Sequence, residues 1–172
     1  DVATKGLSVL LRAVAQLRAD EARRPSADEA RRLSADAYPD VSLVVVGQPN
    51  PGTEALIGQL GIAGAVTFVR ALSDSDLAAL MASAEIAVVP SLYEGFSLPA
   101  VEAMACATPL VATNVGALPE LIGAGSARGV LVQAGNADEL ASALGALLAS
   151  PARRLQMGRA GRARAVEQYS WS

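Results

Sequence analysis

The chain has 172 residues, 52% of them hydrophobic and 18% charged, with a formal net charge of -3. That size and balance suit one domain with a substantial core, and the mild acidity gives no electrostatic reason to expect nucleic acid as a partner. With no histidine and one cysteine, a zinc site has almost nothing to be built from, and no run approaches the roughly 18 apolar residues of a spanning helix.

The first periodic segment is Leu7, Leu10, Leu11, Val14 and Leu17, whose spacing predicts an amphipathic helix. Ala19 to Ser26 then recurs almost verbatim as Ala27 to Ser34. This charged, alanine-rich duplication, over about residues 19–36, is expected to form an exposed helical extension broken at Pro25. It has no apolar stripe to suggest a partner-binding insert. Beyond it, strands are predicted at Val41–Val46, Val66–Val69, Glu85–Val89, Pro109–Thr113 and Gly129–Val132. Helices are predicted at Gly52–Leu60, Ser75–Ser83, Leu98–Ala107, Leu118–Ile122, Ala137–Ala149 and Pro151–Gln168. The alternation argues for an α/β fold, a Rossmann-like parallel sheet with helices on both faces. Cys106, among alanines, reads as a small buried residue. The five arginines of the last helix are accounted for by a solvated face rather than by a membrane surface.

One stretch carries chemistry. Ser91-Leu-Tyr-Glu-Gly-Phe-Ser-Leu-Pro-Ala-Val-Glu102 follows an apolar run and opens a helix through Pro99. A strand, a glycine-bearing turn and a helix start together aim free backbone N–H groups at an anion. Glu94 in the turn and Glu102 in the early helix flank those donors, and early helical side chains lean back toward the helix start. Carboxylates would repel a phosphate but accept from hydroxyl groups, often two at once. A ligand with a central diphosphate and polyol rings at both ends, a sugar nucleotide, satisfies both requirements.

In that context Glu94-x7-Glu102, followed by Thr-Pro-Leu-Val-Ala-Thr-Asn-Val-Gly-Ala-Leu-Pro-Glu over 108–120, resembles the retaining glycosyltransferases of family 4 (group 1). The likeness is to their C-terminal, donor-binding domain, one half of a GT-B architecture, and it runs from Lys5-Gly6-Leu7 to Tyr169-Ser-Trp171. It implies hexosyl transfer from a nucleotide diphosphate sugar, the donor being a substrate, with neither metal nor cofactor. Lys5 matches the lysine that contacts the donor's phosphates and Glu94 the acid beside the transferred sugar, the two catalytic candidates. Glu102 matches the acid that binds the ribose hydroxyls. Gly95, Phe96, Ser97 and Leu98 would lie along the sugar and phosphate, and Leu72, after Val66-Thr-Phe-Val-Arg-Ala, under the base. Arg70 stands where the family usually has glycine. Gly116 is read equally as helix punctuation or as a ligand contact.

The resemblance also implies pieces that the chain lacks: the first, central strand, an upstream arginine, the acceptor-binding N-terminal domain and a closing helix after Trp171. A groove is therefore expected between the Val41–Val46 and Glu85–Val89 strands, and the fragment alone is expected to be inactive. The N-terminus has no signal-peptide pattern, so the expected setting is cytoplasmic, with peripheral membrane association and the identities of base, sugar and acceptor left open. A sugar-nucleotide epimerase and a non-catalytic nucleotide-binding scaffold are the competing classes. A phosphate-receiver domain fits less well, for want of an acidic cluster at successive strand ends.

Overall fold

Five parallel strands and seven α-helices alternate among the residues that the computed structural model describes, namely 5–22, 41–123, 125 and 127–169. They are α1 (Leu7–Ala22), β1 (Leu43–Val46), α2 (Pro51–Leu60), β2 (Val66–Val69), α3 (Asp74–Ser83) and β3 (Ala87–Val89). Then come α4 (Leu98–Ala105), β4 (Leu110–Thr113), α5 (Leu118–Ile122), β5 (Val130–Val132), α6 (Ala137–Leu148) and α7 (Pro151–Tyr169). The expected extension over the duplicated segment lies outside the described residues from Arg23 on.

Alternate strand residues face opposite layers, which is how one parallel sheet buries both faces. Val111 and Val132 join Leu10, Val14, Leu140 and Leu144 beneath α1 and α6. Val89, Leu110 and Ala112 join Ala100, Ala103 and Met104 beneath α4, with Leu118 and Leu121 of α5. Several strands begin one or two residues later than the sequence predicts. Pro109 shows one reason: its carbonyl accepts from the Ala87 N–H at 2.8 Å, but proline has no N–H to continue the ladder.

The strands form two sheets, β1–β2 and β3–β4–β5, every pairing parallel. Between β1 and β3 runs a cavity of about 810 Å³, walled by α1 (Leu10, Val14) and α3 (Leu80, Met81). On the β1 side Val44 and Val46 are 43% and 54% exposed, unusual for valines in a parallel strand. The expected groove between these strands is present.

The last helix does more than present a solvated face. Arg154 donates to the carbonyls of Leu147 and Leu148 at the end of α6, at 2.7 and 2.6 Å. Arg162 donates to the carbonyl of Ala105 at the end of α4, and Arg164 to those of Leu121 and Glu120 in the last turn of α5, both at 2.7 Å. Cations at helix C-termini satisfy orphan carbonyls and oppose the negative end of the dipole. Gly158 allows the approach: a Cβ there would stand 2.0 Å from the Ala107 carbonyl oxygen.

Candidate functional site

Glu94 sits in the irregular segment between β3 and α4, yet it is only 9% exposed. Its Oε2 accepts from Ser91 Oγ at 2.9 Å and from Lys5 Nζ at 3.3 Å. Lys5 reaches it from the turn before α1, where Gly6 has φ +67° and a Cβ would lie 1.8 Å from the Pro90 carbonyl oxygen. Only a glycine lets the start of α1 press so closely on the end of β3. Two residues 89 apart in sequence are thereby brought into an ion pair.

Glu102, exposed on α4, lines the same cavity as Lys5, Glu94 and Pro99, together with Gly47 and Gln48 after β1. The three predicted charged site residues thus open onto one space, at the carboxyl ends of the strands and the start of α4. Of the remaining predicted residues, Gly95, Phe96 and Leu98 are exposed on the loop into α4. Phe96 makes an edge-to-face contact with Tyr169 of α7, ring centres 6.1 Å apart. Leu72 is half-buried just beyond β2, at the same sheet end but not on the cavity wall. Between them Ala71 has φ +52°, a left-handed conformation costly for alanine, one residue after the position where the family has its glycine.

The start of α4 differs from those of α2, α3 and α6. Asn50, Ser73 and Asn136 cap α2, α3 and α6, each side chain accepting the backbone N–H three residues on. Ser97 occupies the same position on α4 but makes no such bond. Its hydroxyl is fully buried, and it is the one buried side-chain polar atom without a partner among the described residues. The first-turn N–H groups of Leu98 and Ala100 have no intrahelical acceptor either, because a helix start leaves them unpaired. The uncapped amide at exposed Leu98 is a donor that an anion can use, whereas the Ser97 hydroxyl is closed off from the cavity. Among the described residues, no cluster of three potential metal ligands occurs, and no helix is long and apolar enough to cross a membrane.

The family model for glycosyl transferases group 1 matches residues 2–164. The chain belongs to that family. This group 1 domain is 49% identical, over 99% of its length, to 38% of the MMP alpha-(1->4)-mannosyltransferase of Mycolicibacterium hassiacum. Its fold is that of the C-terminal Rossmann-like half of GT-B glycosyltransferases. It superposes on sucrose-phosphate synthase from Thermosynechococcus elongatus with a TM-score of 0.80 and 32% identity, covering 98% of this chain and 39% of that one. A likeness in fold alone, at 24% identity and TM-score 0.76, relates it to Anabaena HepE in complex with UDP-glucose, over 97% of this chain and 42% of that one. The domain spans less than half of each of these proteins.

Sequence reasoning assigned no role to Ser91, to Gly6 or to Thr113, whose Oγ1 donates to the Ser91 carbonyl at 2.6 Å, and all three shape the loop. Ser91 was within the motif, but nothing local reveals which side chain its hydroxyl meets. The Gly6 and Thr113 contacts join residues distant in sequence, and no short pattern encodes them.

Proposed function

We propose that this domain binds a nucleotide diphosphate sugar and that the intact enzyme transfers its hexosyl unit to an acceptor with retention of anomeric configuration. The observation that carries the reading is the convergence of Lys5, Glu94 and Glu102 on one cavity at the start of α4. The Leu98 amide at the exposed start of α4 and Lys5 serve the diphosphate, Glu102 the ribose hydroxyls, and Glu94 the hydroxyls of the transferred sugar. Gly95 and Phe96 line the sugar side, and Leu72 lies toward the base. In the transfer, the bond from sugar C1 to the diphosphate oxygen breaks and a bond from C1 to the acceptor oxygen forms on the same face. The acceptor's hydroxyl proton passes to the departing diphosphate. Positioning, together with cationic and amide stabilisation of the leaving group, supplies most of the acceleration. UDP-glucose in HepE supports a nucleotide-sugar donor, and the mannosyltransferase relative supports a hexose. A further strand between β1 and β3 and an N-terminal domain that binds the acceptor complete the enzyme in this reading.

The test is a titration of the intact enzyme with uridine, guanosine and adenosine diphosphate sugars, followed by NMR assignment of the product anomer. One donor is expected to bind, and the product to keep that donor's configuration. Failure of every donor to bind, or an inverted product, overturns the proposal.

A further inference from the structure

A carboxylate in a loop can hold a sugar only if the loop itself is held. Four contacts fix the segment around Glu94. Pro90 lies under Gly6, as described above. The carbonyl of Ser91 accepts from the buried Thr113 Oγ1 at 2.6 Å, at the end of the fully buried strand β4. The carbonyl of Glu94 faces Gly116, at φ +53°, where a Cβ would stand 1.5 Å from that oxygen. The fourth contact is to the carboxylate: Ser91 Oγ donates to Glu94 Oε2 at 2.9 Å.

The two donors to Oε2 are unequal. Lys5 is 61% exposed, and its long flexible side chain gives a compact point charge. Ser91 is 1% exposed and has a short side chain. Oε1 accepts from no group of the described residues and is not a buried orphan, so it is open to the cavity or to solvent. Once a diphosphate enters, Lys5 has a stronger anionic partner, and Ser91 becomes the donor that still fixes Oε2.

We infer that Ser91, itself seated by Thr113, is a positioning residue: it keeps the Glu94 carboxylate oriented with Oε1 toward the sugar while Lys5 exchanges from Glu94 to the donor's diphosphate. Gly116 belongs to the same device, supporting Glu94 from behind rather than punctuating a helix. The inference rests on the donor-site reading above, because it takes from that reading what Glu94 and Lys5 meet.

The experiment is a double-mutant cycle in the intact transferase with Ser91→Ala and Glu94→Ala. Loss of one hydrogen bond to a charged group corresponds to about tenfold in rate. Ser91→Ala is therefore expected to lower kcat about tenfold while leaving affinity for the nucleoside diphosphate alone within about twofold. In the Glu94→Ala background the same change is expected to have almost no effect, since the partner is gone. Ser91→Cys, which keeps a weak donor, should fall between and carries the test if the alanine variant does not fold. The inference is overturned if kcat is unchanged, if the tenfold loss persists without the Glu94 carboxylate, or if nucleotide affinity falls as much as kcat. If Glu94→Ala itself leaves sugar transfer unchanged, it is the donor-site reading that fails.

Discussion

The two halves of the sheet are built to different standards. In β4 all four residues are buried, with neighbouring strands on both sides and helices on both faces. In β1 every second residue is exposed and one long edge faces the cavity. The closed half behaves as a foundation: Thr113 of β4 seats Ser91, and α4 carries Glu102. The open half contributes Gly47 and Gln48 to the cavity, and Lys5 enters from the turn before α1. The candidate site is therefore a boundary feature: its acid-bearing loop and helix rest on the packed side, and Lys5 reaches it from the turn before α1.

The sharpest test of that contrast is a pair of truncations. In the 172-residue domain, with no further strand beside β1, Leu110→Ala, fully buried in the closed half, should cost about 3 kcal/mol, whereas Val44→Ala on the open edge should cost under about 0.5 kcal/mol, both read by urea unfolding. Equal costs would show that the two halves are not differently packed. Next in size, Glu102→Ala should weaken nucleotide binding by about 10- to 30-fold in a calorimetric titration, as expected for loss of charge-assisted bonds to ribose hydroxyls. An unchanged affinity would remove Glu102 from the site.

Smaller effects test how the closed half is fastened. Arg164→Met keeps much of the side-chain bulk but removes the donors to the end of α5 and should cost about 1 kcal/mol. The smallest effect is a gain. α4 ends in a Schellman turn, with Thr108 N–H bonded to Ala103 O and Ala107 N–H to Met104 O, and Ala107 sits at φ +60°. At the equivalent place on α2 the chain uses Gly61, φ +67°. Ala107→Gly should therefore stabilise the protein by about 0.5–1 kcal/mol in thermal unfolding; destabilisation would mean that the alanine methyl makes compensating contacts.

These cases also mark what can be read from sequence. The strands were visible because apolar runs such as Val66–Val69 and Leu110–Thr113 alternate with helical periods. That Glu94 and Glu102 face one cavity was visible because both lie in one short ordered motif. The helix ending at Ala105 rather than Ala107 was not, since a left-handed alanine gives no signal that a glycine would. Nor was the role of the α7 arginines. A charged face on an isolated helix looks the same whether its guanidinium groups meet water or the carbonyls of three other helices, and only the assembled fold separates the two.

Those three arginines have a consequence for the molecule as a whole. In a parallel α/β arrangement the helices run opposite to the strands, so the C-termini of α4, α5 and α6 gather at the far pole from the cavity, and it is there that Arg154, Arg162 and Arg164 bind. Positive charge thus blunts the negative pole, while at the other pole the start of α4 is left bare, with Lys5 beside it. The last helix therefore works as a strap, tying together at one pole the ends of three elements whose other ends frame the candidate site.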